Sequence, residues 1–150
     1  MLIDRPAVHE PELQLPAGLE FTVQLAGAID SKTASVGDKL TAVVQTPVRY
    51  RGTVLIPKGA MLEGRIRRLE WETSPRPYYL VGLEFTGIDF GARHARFIGA
   101  MLEIQPVAGL SLGVEVPFQI PGVSTFFMEG TAFHLPEGLQ MTWRTYRLGK

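Results

Sequence analysis

Leu19-Glu20-Phe21-Thr22-Val23-Gln24-Leu25 alternates apolar and polar side chains without a break. A period of two places Leu19, Phe21, Val23 and Leu25 on one face of an extended chain and Glu20, Thr22 and Gln24 on the other. That is the pattern of a half-buried strand. Toward the C-terminus the same period returns at Leu40, Ala42 and Val44, after a polar stretch over 29–35 and the turn Val36-Gly37-Asp38. Pro47 holds Thr46 extended and brings no N–H to a ladder. The continuation over 48–51 is therefore expected at a sheet edge or beyond a bend, with Gly52 launching Thr53-Val54-Leu55-Ile56.

Further strands are expected around Tyr79, Val81, Leu83 and Phe85; Ile98, Ala100, Leu102 and Ile104; Val123, Thr125 and Phe127; and Leu139, Met141 and Trp143. The segment 62–69 is open to two readings, since Leu62, Ile66 and Leu69 match a helical face and Leu62, Gly64 and Ile66 match a strand. Strand is preferred, because Gly64 inside a helix costs about 1 kcal/mol relative to Ala and a turn signal precedes the segment directly. Eight or more short strands punctuated by Gly and Pro predict an all-β domain, a β-barrel or a barrel-like sandwich.

An aliphatic-Pro-x-Gly unit occurs as Leu15-Pro16-Ala17-Gly18, Ile56-Pro57-Lys58-Gly59 and Leu135-Pro136-Glu137-Gly138. With Pro in the second position and a positive φ at the Gly, each unit can form a type I turn that launches a strand. The three copies are irregularly spaced, so no solenoid is expected. Residues 1–14, with Pro6, Pro11 and no periodicity, read as an extended leader, and 15–150 as one domain. The first residues lack the basic, apolar and small-residue order of a secretory signal.

Lys and Arg number 15 against 15 for Asp and Glu. That balance argues against a nucleic-acid partner. Hydrophobic residues at 45% and charged residues at 20% describe a globular chain. The absence of cysteine rules out thiolate metal sites, cysteine nucleophiles and disulfides.

At this point a resemblance enters. Leu15-Pro16-Ala17-Gly18, Ile29-Asp30-Ser31, Val36-Gly37-Asp38, Ala42-Val43-Val44 and the run Val54-Leu55-Ile56-Pro57-Lys58-Gly59-Ala60-Met61-Leu62-Glu63-Gly64 resemble the TrbI-like barrel domain. Residues 123–145 are similar to that family's closing strands. The family supplies an outer-membrane-complex component of conjugative and other type IV secretion machines. The resemblance implies a β-barrel of the cell envelope or periplasm that associates with itself or with a protein partner, with no cofactor and no catalytic residues to carry over. Secretion-channel members carry a helical insertion where this chain has 104–128. Here that stretch holds Pro106, Pro117 and Pro121 with Gly109, Gly113 and Gly122, so no transmembrane helix is expected from it. It reads as a loop and a strand under the barrel or, through Leu110, Leu112, Phe118 and Ile120, as an apolar contact surface for a partner or a membrane periphery.

No constellation of chemistry stands out. His9, His94 and His134 are far apart in sequence and form no metal-ligand pair, and the one Gly-x-Ser-x-Gly match, Gly109-Leu110-Ser111-Leu112-Gly113, lies where no strand-to-helix turn is expected. Arg49, Arg51, Arg65, Arg67, Arg68, Arg93 and Arg96 are interleaved with Glu63, Glu70, Glu72 and Glu84, which predicts cross-strand ion pairing on a solvated face. Asp89-Phe90-Gly91 reads as a hairpin turn. The remaining feature is Trp71-Glu72-Thr73-Ser74-Pro75-Arg76-Pro77-Tyr78-Tyr79, a proline-braced loop. Its Trp71, Arg76, Tyr78 and Tyr79 suit a protein contact or, as the alternative, stacking on a carbohydrate. Trp71 and Tyr79 are equally able to end and begin strands with their rings turned inward.

Overall fold

The computed structural model describes residues 13–111 and 119–147. Among them the chain forms β1 (Leu13–Gln14), β2 (Glu20–Leu25), β3 (Ile29–Asp30), β4 (Lys39–Val44), β5 (Val48–Tyr50), β6 (Thr53–Ile56) and β7 (Met61–Glu72). There follow β8 (Tyr78–Phe90), β9 (Arg93–Arg96), β10 (Gly99–Ile104), β11 (Leu110–Ser111), β12 (Ser124–Glu129), β13 (His134–Leu135) and β14 (Gln140–Thr145). The domain is all-β, and no helix long and apolar enough to cross a membrane occurs among the described residues.

One large sheet carries the fold, in the order β1-β9-β8-β7-β4-β2-β14-β10. It curls strongly into a half-barrel. Its first and last long strands are the two ends of one stretch: β9 pairs with β8, the chain bends through Phe97 and Ile98, and β10 pairs with β14. Across the bend the Phe97 N–H donates to Thr86 O, while Ile98 O accepts from the Tyr146 N–H. Two small sheets, β3 with β13 and β5 with β6, lie outside this path. The second is the displaced segment expected after Pro47.

The period-two pattern buries what it predicts in β2, β4 and β14. Phe21, Val23, Leu25, Leu40, Ala42, Val44, Met141 and Trp143 all lie in the core. Trp143 is the largest buried side chain, edge-on to Phe85 at 4.9 Å between ring centroids, with Phe21 and Phe97 edge-to-face at 5.2 Å. Each such pair contributes about 0.5–1.5 kcal/mol beyond its buried area. The ambiguous segment is strand, and its glycine is a packing requirement. A Cβ on Gly64 would stand 1.7 Å from the Glu84 carbonyl oxygen, where β7 shifts register against β8.

The turns form one residue later than expected. Gly18, Gly59 and Gly138 have φ of 87°, 93° and 88°. The closing bonds run from the Ala60 N–H to Pro57 O and from the Leu139 N–H to Pro136 O. Proline therefore opens these two turns and glycine takes the third position, where a positive φ defines type II.

Two strands also depart from their expected phase. In β12 the core receives Phe126 and Met128, and Phe127 lies half-buried on the opposite face. In β10 Gly99 and Met101 take the core side and Ala100 and Leu102, the latter 48% exposed, the outer one, until a register shift between Met101 and Glu103 turns Ile104 inward. A bulge adds a residue, and every side chain beyond it changes face.

Candidate functional site

The loop over 73–77 joins β7 to β8 and sets Trp71 opposite Tyr79 and Glu72 opposite Tyr78. Register partners share a face and chain neighbours do not, so the candidate residues of this loop divide between two faces. Trp71 and Tyr79 lie on the core side. Tyr79 packs edge-on to the buried Phe133 at 5.0 Å, and Trp71 leans on Tyr79 at 6.3 Å while remaining 50% exposed. The inward reading thus holds for Tyr79, and Trp71 stands at the rim.

Tyr78 and Arg76 belong to the outer side. The shift in β7 between Ile66 and Arg68 turns Leu69 and Trp71 toward the core and Arg68, Glu70 and Glu72 away from it. Across the three strands the outer rows are Arg68, Gly82 and Thr125; Glu70, Leu80 and Phe127; and Glu72, Tyr78 and Glu129. Leu80 is buried yet stands apart from the core cluster, because its cover comes from this outer layer. Gly82 leaves room for Arg68: a Cβ there would lie 2.9 Å from the Arg68 Cβ. Arg68 is accordingly only 7% exposed and donates to Glu70 through Nε at 2.8 Å and Nη2 at 3.0 Å. That bidentate bond holds the Glu70 carboxyl below its usual range and raises the Arg68 guanidinium.

Beside this layer is a pocket of about 310 Å³ lined by Pro75, Arg76, Pro77, Tyr78, Ser111, Phe127 and Glu129. The Tyr78 and Phe127 rings lie 5.2 Å apart at 40°. Main-chain bonds hold the walls: the Gly130 N–H donates to Pro77 O at 2.8 Å, and the Glu129 N–H to Gly109 O at 2.7 Å. Arg76 and Glu129 line the same pocket without pairing with each other or with any described residue. Phe127, Glu129 and Ser111 were not singled out from the sequence. The available signal was the alternation of Phe126 and Met128 against Phe127 and Glu129.

The apolar contact residues also divide. Leu110 packs against the core, Ile120 is 37% exposed, and Leu112 and Phe118 lie outside the described residues. Ile120 lines a groove of about 490 Å³ formed by 99–104, 119–125 and Tyr146. This groove follows the seam where β10 and β12 approach without a ladder. Side chains close the seam: the Met101 N–H donates to Ser124 Oγ at 2.9 Å and the Gly122 N–H to Tyr146 Oη at 2.6 Å.

Ion pairing accounts for part of the basic set. Arg67 pairs with Glu84 across the strands, and Arg65 donates to Gly37 O. His94 contacts Asp89 at 2.6 Å beside the hairpin turn at Gly91, and His134 contacts Asp30 at 3.0 Å. Both histidine–carboxylate pairs are exposed at the surface, and no group of three or more potential metal ligands occurs among the described residues.

No family model matches the chain, and no curated protein matches it in sequence. Among solved structures, the fold is similar to that of ComB10 of the Com type IV secretion system of Helicobacter pylori. The TM-score is 0.53, with 11% identity over 87% of this chain and 86% of that one. At that identity the likeness is one of fold.

Proposed function

We propose that this chain is a non-enzymatic interaction module of the bacterial cell envelope, a barrel of the TrbI-like kind that assembles with copies of itself or with a protein partner. The observation that carries the reading is the likeness to a type IV secretion component over nearly the full length of both chains. The seam supplies a surface suited to the task. Leu102 and Ile120 stand exposed there beside β10, whose outer edge has no strand neighbour among the described residues. Such an edge offers main-chain donors and acceptors to an incoming segment, and the two apolar side chains add area to the contact.

The test is mass in solution, by light scattering behind size exclusion, over a wide concentration range and at two salt levels. A mass that rises above one chain, and returns to one chain in Ile120→Glu, is expected. One chain at every concentration overturns self-assembly and directs the search to a different protein as partner.

A further inference from the structure

We infer that the outer-face pocket beside Tyr78 and Phe127 binds a neutral polyhydroxylated ring, a hexopyranose unit of a glycan, independently of any assembly at the seam. Three observations converge. First, two adjacent aromatic rings at 5.2 Å line a pocket together with Pro75 and Pro77. The C–H face of a pyranose carries slight positive charge and stacks on the negative face of such rings.

Second, Arg76 and Glu129 line the pocket with opposite charges and no partner among the described residues. A net anion would gain from Arg76 and be opposed by Glu129, and a net cation the reverse. A vicinal diol satisfies both, since its oxygens accept from the guanidinium and its O–H groups donate to the carboxylate. The Ser111 hydroxyl, on the same wall, is able to donate and accept.

Third, the walls are fixed in advance. Pro77 O and Gly109 O accept from the main-chain N–H groups of Gly130 and Glu129, and the outer layer beneath is anchored by Leu80 and by the Arg68–Glu70 pair. Little ordering remains to be done on binding. A volume of about 310 Å³ is at the lower end for small-molecule sites, room for one or two rings.

The test follows the melting temperature of the full chain with cellotriose, maltotriose and chitotriose as probes, and with zwitterionic dialanine as the competing chemistry. At least one trisaccharide is expected to raise the melting temperature by about 2–4 °C at roughly fivefold excess over its dissociation constant. The shift is expected to be equal at low and high salt, because the ligand is neutral. Arg76→Ala and Glu129→Gln, both at exposed positions, are each expected to weaken binding about tenfold, and Trp71→Ala to leave it unchanged. The backbone amide spectrum of each variant checks that it is folded. Silence with all three sugars, a response to dialanine alone, suppression by salt, or a shift undiminished in both pocket variants overturns the inference. Loss of the shift in Trp71→Ala alone also overturns it, by moving the site to the opposite face.

Discussion

Two regions of this barrel hold their strands together by different means. Around Trp143, strands β4, β2 and β14 are joined by main-chain ladders without a register shift, and the inward side chains fall where a simple alternation puts them. Along the seam between β10 and β12 there is no ladder, and single side-chain bonds from Ser124 and Tyr146 close the wall. There the alternation of β10 slips at the bulge in its ladder to β14, Leu102 stands exposed, and a groove remains. The difference teaches that apolar periodicity reports pairing on both edges of a strand. Where one edge is open, the same residues become surface and are available for contact.

The comparison breaks first at its packed end. Trp143→Ala removes the ring that Phe85 and Phe97 pack against in a site closed to solvent. We expect a loss of about 3–5 kcal/mol in denaturant unfolding. The indole Nε1 has no hydrogen-bond partner among the described residues, so the loss reflects packing and not a broken bond. A loss under about 1 kcal/mol would show that the core collapses around the change and that the two regions differ less than their ladders imply.

This contrast also explains what was legible in the sequence. The strands β2, β4 and β14 could be read from alternation alone, because each has one core face and one polar face. Phe127 was missed because Val123, Thr125 and Phe127 alternate as well as Phe126 and Met128 do, and choosing between the phases needs the β8 register. Leu102 was placed in the wrong phase because Ile104, turned inward by an unmarked bulge, shares its parity and makes the alternation look unbroken. The loop over 71–79 was visible as a candidate from its prolines and aromatics. The division between its faces was not, since it depends on the register shift between Ile66 and Arg68. The pocket's second wall, from β11 and β12, comes from residues distant in sequence, beyond the reach of local patterning.

One hydroxyl in each region sharpens the comparison. Thr145 Oγ1 accepts from the Leu19 N–H at 2.9 Å and donates to Pro16 O at 2.7 Å in a buried position. Thr145→Val strands both groups away from water, and we expect a loss of about 1–3 kcal/mol. Ser124→Ala frees only the Met101 N–H, in a groove that water enters, and we expect a loss of about 0.5–1 kcal/mol. Equal losses at the two positions would mean that the seam is as closed as the core, and the case for a contact edge there would fail.

The smallest effect belongs to neither region but to the sheet of β3 and β13, which is held by polar groups. Asp30 accepts the Lys32 N–H at 2.8 Å and faces His134, its register partner, at 3.0 Å. The Lys32 N–H first, and His134 second, hold the Asp30 carboxyl below its ordinary value of 3.8. A carboxyl depressed in the folded state stabilises above its ordinary value, and that contribution is lost as pH falls through the depressed one. Asp30→Asn should therefore melt slightly below the parent at neutral pH, with the two curves converging under acid conditions. The exposed position keeps the difference small, and added salt should reduce its ionic part further. A gap that persists undiminished once Asp30 is protonated would assign the effect to hydrogen-bond geometry in place of charge. This small sheet would then be held as the core is, by shape, and polar closure would be peculiar to the seam.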